Sequence, residues 1–362
     1  MVYKYVHGGD IYSVQANRPG DYLDFSVNVN PLGLPEAVKA AVAAATEECR
    51  NYPDPFCREL RAALAGWEKI NWDDIFCGNG ASEIIFRLAL AIKPRKALLL
   101  APTFADYARA LQTVGCGIEY YDLRAETEFR VREDYSAYLT REIDMAVICN
   151  PNNPTGQLCS KAFLKRVLAE CREKNIFVLV DECFMDFTDH PEKYSVREYL
   201  KDCPNLIILK AFTKLYAMAG IRLGYALTVN RDVLDRLKLC GPDWAVSSLA
   251  QAAGICALRQ EDYVQQSKLL VQTEREFLIR ELTALGLKVF GSRANYIFFL
   301  TEGVPDLSQK LLAKGIIIRS CADYLKLNPC FYRVAVKTRE ENRTLINRIK
   351  DVIQHESRAG CD

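Results

Sequence analysis

Metal-ligand spacing is the first thing this sequence lacks: its 362 residues hold 14 cysteines but no Cys-x-x-Cys, and only 3 histidines. A zinc centre draws on cysteine or histidine pairs at short spacing, so a metal-centred function is excluded. An excess of one charge is missing too. The 47 basic residues against 46 acidic ones leave +1, which offers no bulk attraction to nucleic acid or to an anionic membrane surface. No stretch reaches the roughly 20 apolar residues of a membrane span. Met1 to Asp10 has no apolar core behind a basic start, so no export signal is read there. A cytoplasmic location is the expectation. Cys149, Cys171, Cys183 and Cys256 lie within apolar stretches and read as small core residues, which suits a reducing compartment better than a disulfide scaffold.

What is present is an alternation of two periods. Short β-rich runs at Lys96 to Ala101, Ile118 to Leu123, Met145 to Asn150, Ile176 to Asp181, Leu206 to Lys210 and Leu223 to Val229 are separated by amphipathic stretches. Ser82 to Ile92, Ala105 to Val114 and Ser160 to Lys174 are long enough for crossovers, which predicts an α/β domain with a mostly parallel sheet over about 35–235. Beyond it, a helical region from Gln251 to Leu285 leads to strands at Asn295 to Leu300, Ile316 to Arg319 and Tyr332 to Lys337, then a final helix. That is the pattern of a smaller α+β domain over 236–362. Residues 1–34 are too few to fold alone and are expected to pack on the smaller domain or on a partner copy.

Three segments carry chemistry. The turn Asn150-Pro151-Asn152-Asn153-Pro154-Thr155-Gly156 follows a strand and precedes a helix; its asparagines donate and accept hydrogen bonds at the rim of a sharp bend. The apolar run Ile176 to Val180 ends in Asp181, and ligands of an open parallel sheet bind beyond the carboxyl ends of its strands. Lys214 lies in Lys210-Ala211-Phe212-Thr213-Lys214-Leu215-Tyr216, with Arg222 eight residues on. Together they bring an amine, a carboxylate, amide groups and an arginine to one end of the expected sheet.

In order and spacing these residues resemble the class I/II pyridoxal 5′-phosphate (PLP) enzymes of the aminotransferase fold, known as fold type I. The resemblance implies that Lys214 holds the cofactor as a Schiff base, Asp181 pairs with the pyridine nitrogen, and Asn153 bonds the phenolic oxygen. It assigns Arg222, Thr213 and the helix-opening turn Gly78-Asn79-Gly80-Ala81-Ser82 to the cofactor phosphate, and Phe104 to the face of the ring. Two positions depart from the common pattern: Phe184 stands where many relatives have a tyrosine, and Ala211 where many have serine or threonine.

Flanking motifs narrow the resemblance. They are His7-Gly8-Gly9-Asp10, Asp24 to Gly33, Asn51-Tyr52-Pro53-Asp54, Arg293 to Tyr296, Ile318 to Tyr324 and Tyr332 to Val336. Nearly end to end the chain resembles the threonine-phosphate decarboxylases of cobalamin biosynthesis, relatives of the histidinol-phosphate aminotransferases, which stand as the second reading. By that likeness His7, Asn30 and Arg319 meet a substrate phosphate, Arg333 its carboxylate, and Asn153 also lies against the substrate. Tyr52 resembles a residue that reaches the neighbouring subunit's cofactor phosphate, which implies a homodimer with a shared active site.

Overall fold

A computed structural model describes residues 7–304 and 306–359, with side chains through 355. Its strands, in chain order, are β1 (Leu23–Asp24), β2 (Ile75–Gly78), β3 (Lys96–Ala101), β4 (Gly117–Asp122), β5 (Met145–Cys149), β6 (Phe177–Asp181), β7 (Leu206–Ala211), β8 (Gly224–Leu227), β9 (Lys288–Phe290), β10 (Tyr296–Leu300), β11 (Ile316–Ile317), β12 (Arg319–Ser320) and β13 (Phe331–Ala335).

The main sheet has seven strands in the order β2-β8-β7-β6-β5-β3-β4. All its central pairings are parallel, and β8 alone runs against its neighbours β2 and β7. Both faces are covered, which is why the central strands read as unbroken apolar runs. One face packs Leu98, Ile148, Val180 and Ile208 against the helices Arg58–Glu68 and Lys161–Glu173. The other packs Leu99, Val147, Leu179 and Leu209 against the helices Gly80–Ile92 and Ala105–Thr113. The carboxyl ends of β5, β6 and β7 therefore open side by side, with Asn150, Asp181 and Ala211 at their tips.

A second, antiparallel sheet runs β12-β13-β10-β9. Its apolar face meets the helices Glu261–Ala284 and Arg339–Ala359 through Phe299, Tyr332, Val334, Leu278 and Leu345. Phe25 joins this second core, and β1 pairs in parallel with β11.

Two expectations are corrected. The helical region from Gln251 to Leu285 is two helices, Ser248–Ala257 and Glu261–Ala284; between them the Gln260 amide donates to Cys256 O at 3.2 Å, a local bond that competes with helix continuation. The strand expected over Ile316 to Arg319 is split, because Ile316–Ile317 pairs with β1 while Arg319–Ser320 pairs with β13. That split sets Arg319 directly opposite Arg333 across the ladder.

Candidate active site

The helix Gly80–Ile92 starts directly after β2, and its first turn lies against β8. At Gly224 an added Cβ would come 2.7 Å from Ala81 N, so only glycine lets the strand approach the helix start. Gly80 takes φ +79°, and its missing Cβ leaves room for the Arg222 guanidinium, whose Nη2 would sit 2.5 Å from such an atom. Arg222 itself has φ 65°, a left-handed backbone that costs a non-glycine residue about 1 kcal/mol. A cation held beside exposed helix N–H groups makes an anion cradle.

Next to that cradle is a cavity of about 160 Å³ lined by Ala81, Ser82, Phe104, Asn153, Asp181, Thr213, Lys214 and Arg222, with Tyr107, Cys149, Cys183, Phe184 and Ala211. Asp181 is 6% exposed and makes no salt bridge among the described residues. Tyr107 Oη donates to its Oδ2 at 2.5 Å and the Cys183 amide to its Oδ1 at 2.9 Å. Burial pushes the Asp181 carboxyl up from its ordinary range, against those two bonds and the Lys214 charge. A buried carboxylate so placed calls for a cationic N–H partner.

Lys214 sits on the short helix Phe212–Leu215 after β7, its Nζ 5.4 Å from the centre of the Phe184 ring. Burial, then the Arg333 and Arg222 charges, lower its ammonium from 10.5 to about 8. A lysine with this pKa is an accessible nucleophile and proton carrier near neutral pH. The buried carboxylate without a salt bridge among the described residues, the lowered amine and the glycine-opened arginine cradle fit PLP.

A second cavity, about 200 Å³, shares Ser82, Phe104, Asn153, Phe184 and Lys214 with the first and adds His7, Gly8, Ser26, Asn28, Asp106, Arg319, Tyr324 and Arg333. Arg333 is 5% exposed; it donates to Asn153 Oδ1 and, at 2.8 Å, to Ser26 O, while its buried Nε has no partner. Arg319 Nη2 donates to both oxygens of Asp323, each at 2.8 Å. His7 Nε2 lies 3.0 Å from Asp106 Oδ1.

The expected residues Lys214, Asp181, Asn153, Ala81, Ser82, Thr213, Arg222 and Phe104 thus share one cavity, Gly80 abuts it, and His7, Arg319 and Arg333 line its extension. Two expected residues are elsewhere. Asn30 lines neither cavity: its amide donates to Leu215 O and Ser267 Oγ, both at 2.6 Å, and its Oδ1 accepts from Leu32 N. The neighbouring Asn28 takes its place at the cavity wall, 2% exposed and with an unpartnered Oδ1. Tyr52 is 80% exposed, stacked on Trp244 with ring centres 4.5 Å apart, away from the chain's own cavity.

Tyr107, Asn28 and Asp106 escaped the sequence reading. Tyr107 follows Phe104 by three, the spacing that sets two residues on one helical face, and that signal was available. Asn28 had no such marker, because its segment is irregular.

The family model for aminotransferase class I and II matches residues 20–349. The chain is 35% identical over 352 residues to the threonine-phosphate decarboxylase of Salmonella typhimurium, covering 96% of each. It is 32% identical over 343 residues to a histidinol-phosphate aminotransferase of Desulfitobacterium hafniense, covering 92% of each. The crystal structure of the histidinol-phosphate aminotransferase from Clostridium acetobutylicum superposes with a TM-score of 0.87 at 31% identity, covering 92% of this chain and 99% of that one.

Proposed function

Because this chain belongs to the aminotransferase class I and II family, a PLP-dependent fold, we propose that it decarboxylates L-threonine O-3-phosphate. The products are (R)-1-amino-2-propanol O-2-phosphate and carbon dioxide, a step of cobalamin biosynthesis, with phosphoserine, which lacks one methyl group, as a second substrate. Discrimination by a methyl is worth only about 1–3 kcal/mol.

The observation that carries this reading is the facing pair Arg319 and Arg333 on β12 and β13, both in the wall of the cavity that holds Lys214. Asp323 pairs with Arg319, so Arg333, with a buried unpartnered Nε, is the guanidinium still short of an acceptor. A ligand bearing two anionic groups on adjacent carbons, a carboxylate and a phosphate, can meet both arginines at once. Histidinol phosphate brings only the phosphate. Arg333 has its unpartnered Nε for the carboxylate, while His7 and Arg319 border the phosphate position and Asn28 lies on the same wall.

When bound, PLP supplies a protonated pyridine that takes up the electron pair of a bond broken at the substrate's Cα. The residues do the rest. Asp181 accepts the pyridine N–H and keeps it charged, and Tyr107 holds Asp181 in place. Arg222, Thr213 and the N–H groups at the start of the helix Gly80–Ile92 hold the cofactor phosphate. Phe104 covers the ring, and Asn153 donates to the phenolic oxygen through its amide, since its Oδ1 accepts from Arg333. The two arginines fix which Cα bond is activated. Lys214 Nζ, able to lose and regain a proton near neutral pH, delivers a proton to Cα after carbon dioxide leaves. Tyr52, on the exposed surface, completes the partner's cofactor phosphate site in a cytoplasmic homodimer.

The test is product analysis with threonine phosphate, phosphoserine, and histidinol phosphate plus 2-oxoglutarate. Carbon dioxide released from threonine phosphate without accumulation of pyridoxamine phosphate supports the reading; a keto product, or faster turnover of histidinol phosphate, overturns it.

A further inference from the structure

At the outer edge of the second cavity one carboxylate holds three groups at once. Asp106 is 5% exposed, on the helix Ala105–Thr113. Its Oδ1 lies 3.0 Å from His7 Nε2 and 3.2 Å from Arg109 Nη1, and these two nitrogens are 3.3 Å apart. Ser82, in the first turn of the helix Gly80–Ile92, donates to the same carboxylate. Asp106 thus bridges the cofactor-side helix start and the imidazole that borders the substrate cavity. His7 also lies on Phe104, ring centres 5.4 Å apart. The adjoining cavity of about 250 Å³ is walled by His7, Arg109, Arg319, Asp323 and Tyr324 among others, so basic groups converge on this rim from three parts of the chain.

An acid lining a pocket for a doubly anionic substrate works against binding by simple Coulomb repulsion. Its benefit lies in what it organises. The 3.0 Å contact requires a hydrogen on Nε2, since an unprotonated nitrogen would set its lone pair against the carboxylate. The segment carrying His7 precedes the first strand; beside it Gly9 N donates to Ser26 Oγ at 2.9 Å. Asp106 Oδ1 is the acceptor both nitrogens share, and it holds them 3.3 Å apart.

We propose that Asp106 is a positioning residue of the substrate phosphate site: it clamps His7 and Arg109 together so that the imidazole stands beside Arg319 when the phosphate arrives. The inference rests on the reading of His7 as a phosphate neighbour in a threonine-phosphate decarboxylase. It adds a specificity determinant that never touches the reacting atoms, and it makes phosphate recognition depend on an acid.

The experiment uses the holoenzyme with Asp106→Asn, His7→Gln and the double variant. KM and kcat are measured on threonine phosphate, and L-threonine, which lacks the phosphate, is measured as a competing ligand. Asp106→Asn is expected to raise KM for threonine phosphate about tenfold, equivalent to about 1.4 kcal/mol, with the loss carried by KM rather than kcat. The inhibition constant of L-threonine stays within about twofold, and the double variant is no worse than His7→Gln, the signature of two residues acting as one. Asp106→Glu, which keeps the charge one methylene further out, restores part of the loss and serves if Asp106→Asn does not fold. An unchanged KM, an equal loss toward L-threonine, or additive losses in the double variant would overturn the role of Asp106 and leave the decarboxylase reading intact. An unmoved KM in His7→Gln removes the phosphate reading of His7 itself.

Discussion

Tyr107 Oη donates to Asp181 Oδ2 at 2.5 Å, with both side chains buried beneath the cavity that holds Lys214. A hydrogen bond to a charged group is worth about 1.5–3 kcal/mol, and here it supports the anionic form of a carboxyl that burial drives toward protonation. In Tyr107→Phe that support is gone, so Asp181 holds a pyridine N–H less well. We expect kcat to fall by about tenfold to a hundredfold, KM to change little, and cofactor to be lost faster on dialysis. Steady-state kinetics and retained PLP absorbance check this; an unchanged kcat would show the bond to be dispensable.

Lys214 governs the pH dependence of cofactor loading. Its amine must be uncharged to take up the aldehyde, and with its pKa lowered to about 8 about a tenth of it is neutral at pH 7, against roughly 1 in 3,000 for an ordinary lysine. The rate of PLP uptake by apoprotein should therefore climb with pH through about 8 and then level. After burial, the Arg333 charge is the next cause of the lowering. Arg333→Met removes that repulsion, favours the ammonium, and should move the climb to higher pH. Rapid-mixing absorbance measurements across pH 6.5–10 follow both; a profile in Arg333→Met that stays put or moves down contradicts the assignment.

The division between what the sequence disclosed and what it hid follows the range of the interactions. Asp181 and Lys214 end or follow apolar strands of the parallel sheet, and strand ends are legible from local pattern because both faces are buried. Asn153 follows the end of β5 in the same way, whereas Arg222, just before the antiparallel β8, was assigned by the family resemblance. Arg319 and Arg333 were named singly, but their pairing depends on the register of β12 and β13, which becomes possible only because the run from Ile316 splits between two sheets. Asn28 and Asn30 are two apart in an irregular segment, and which faces the cavity is decided by Ser267, more than 200 residues away. Helices Glu36–Ala45 and Arg58–Glu68 and strand β2 went unread, as did β9, a strand of three residues.

Next in sequence to Asp181, Glu182 points away from the site. It accepts from Ser195 Oγ and Val196 N, both at 2.8 Å, and is 1% exposed. Burial, only partly opposed by the Lys210 charge and these two bonds, raises its carboxyl from 4.5 to about 7. The folded protein then binds more protons than the unfolded chain between pH 4.5 and 7, so stability falls as pH rises through that window. Glu68 in the same cluster goes the other way: burial pushes it up, but Lys210, Tyr225 and Arg197 outweigh that and hold it at about 2. Glu182→Gln keeps an acceptor for Val196 N and removes the ionisation. It should match the wild type near pH 5 and exceed it by about 2 kcal/mol at pH 8, read from urea midpoints at the two pH values. Equal midpoints at pH 8 would show that Glu182 ionises there without cost.

Asn28 and Asn30 offer a contrast within three residues. Asn28 has an unpartnered buried Oδ1 at the wall of the substrate cavity. An unsatisfied buried carbonyl carries a penalty of about 1–3 kcal/mol, which a ligand donor relieves on binding. Asn28→Ala therefore removes a liability of the free protein, and its effect should appear as a several-fold rise in KM with thermal stability no lower than the wild type's. Asn30 is already satisfied at both ends, and its backbone N–H donates to Lys214 O at 3.2 Å while its side chain ties Leu215 O to Ser267. Asn30→Ala strands those partners and loosens the turn that presents Lys214. We expect it to lose about 2 kcal/mol of stability and to lower kcat, with KM for threonine phosphate close to the wild type. Thermal melts alongside kinetics on the two variants separate the roles. A stable Asn30→Ala with a raised KM would return Asn30 to the substrate site and remove Asn28 from it.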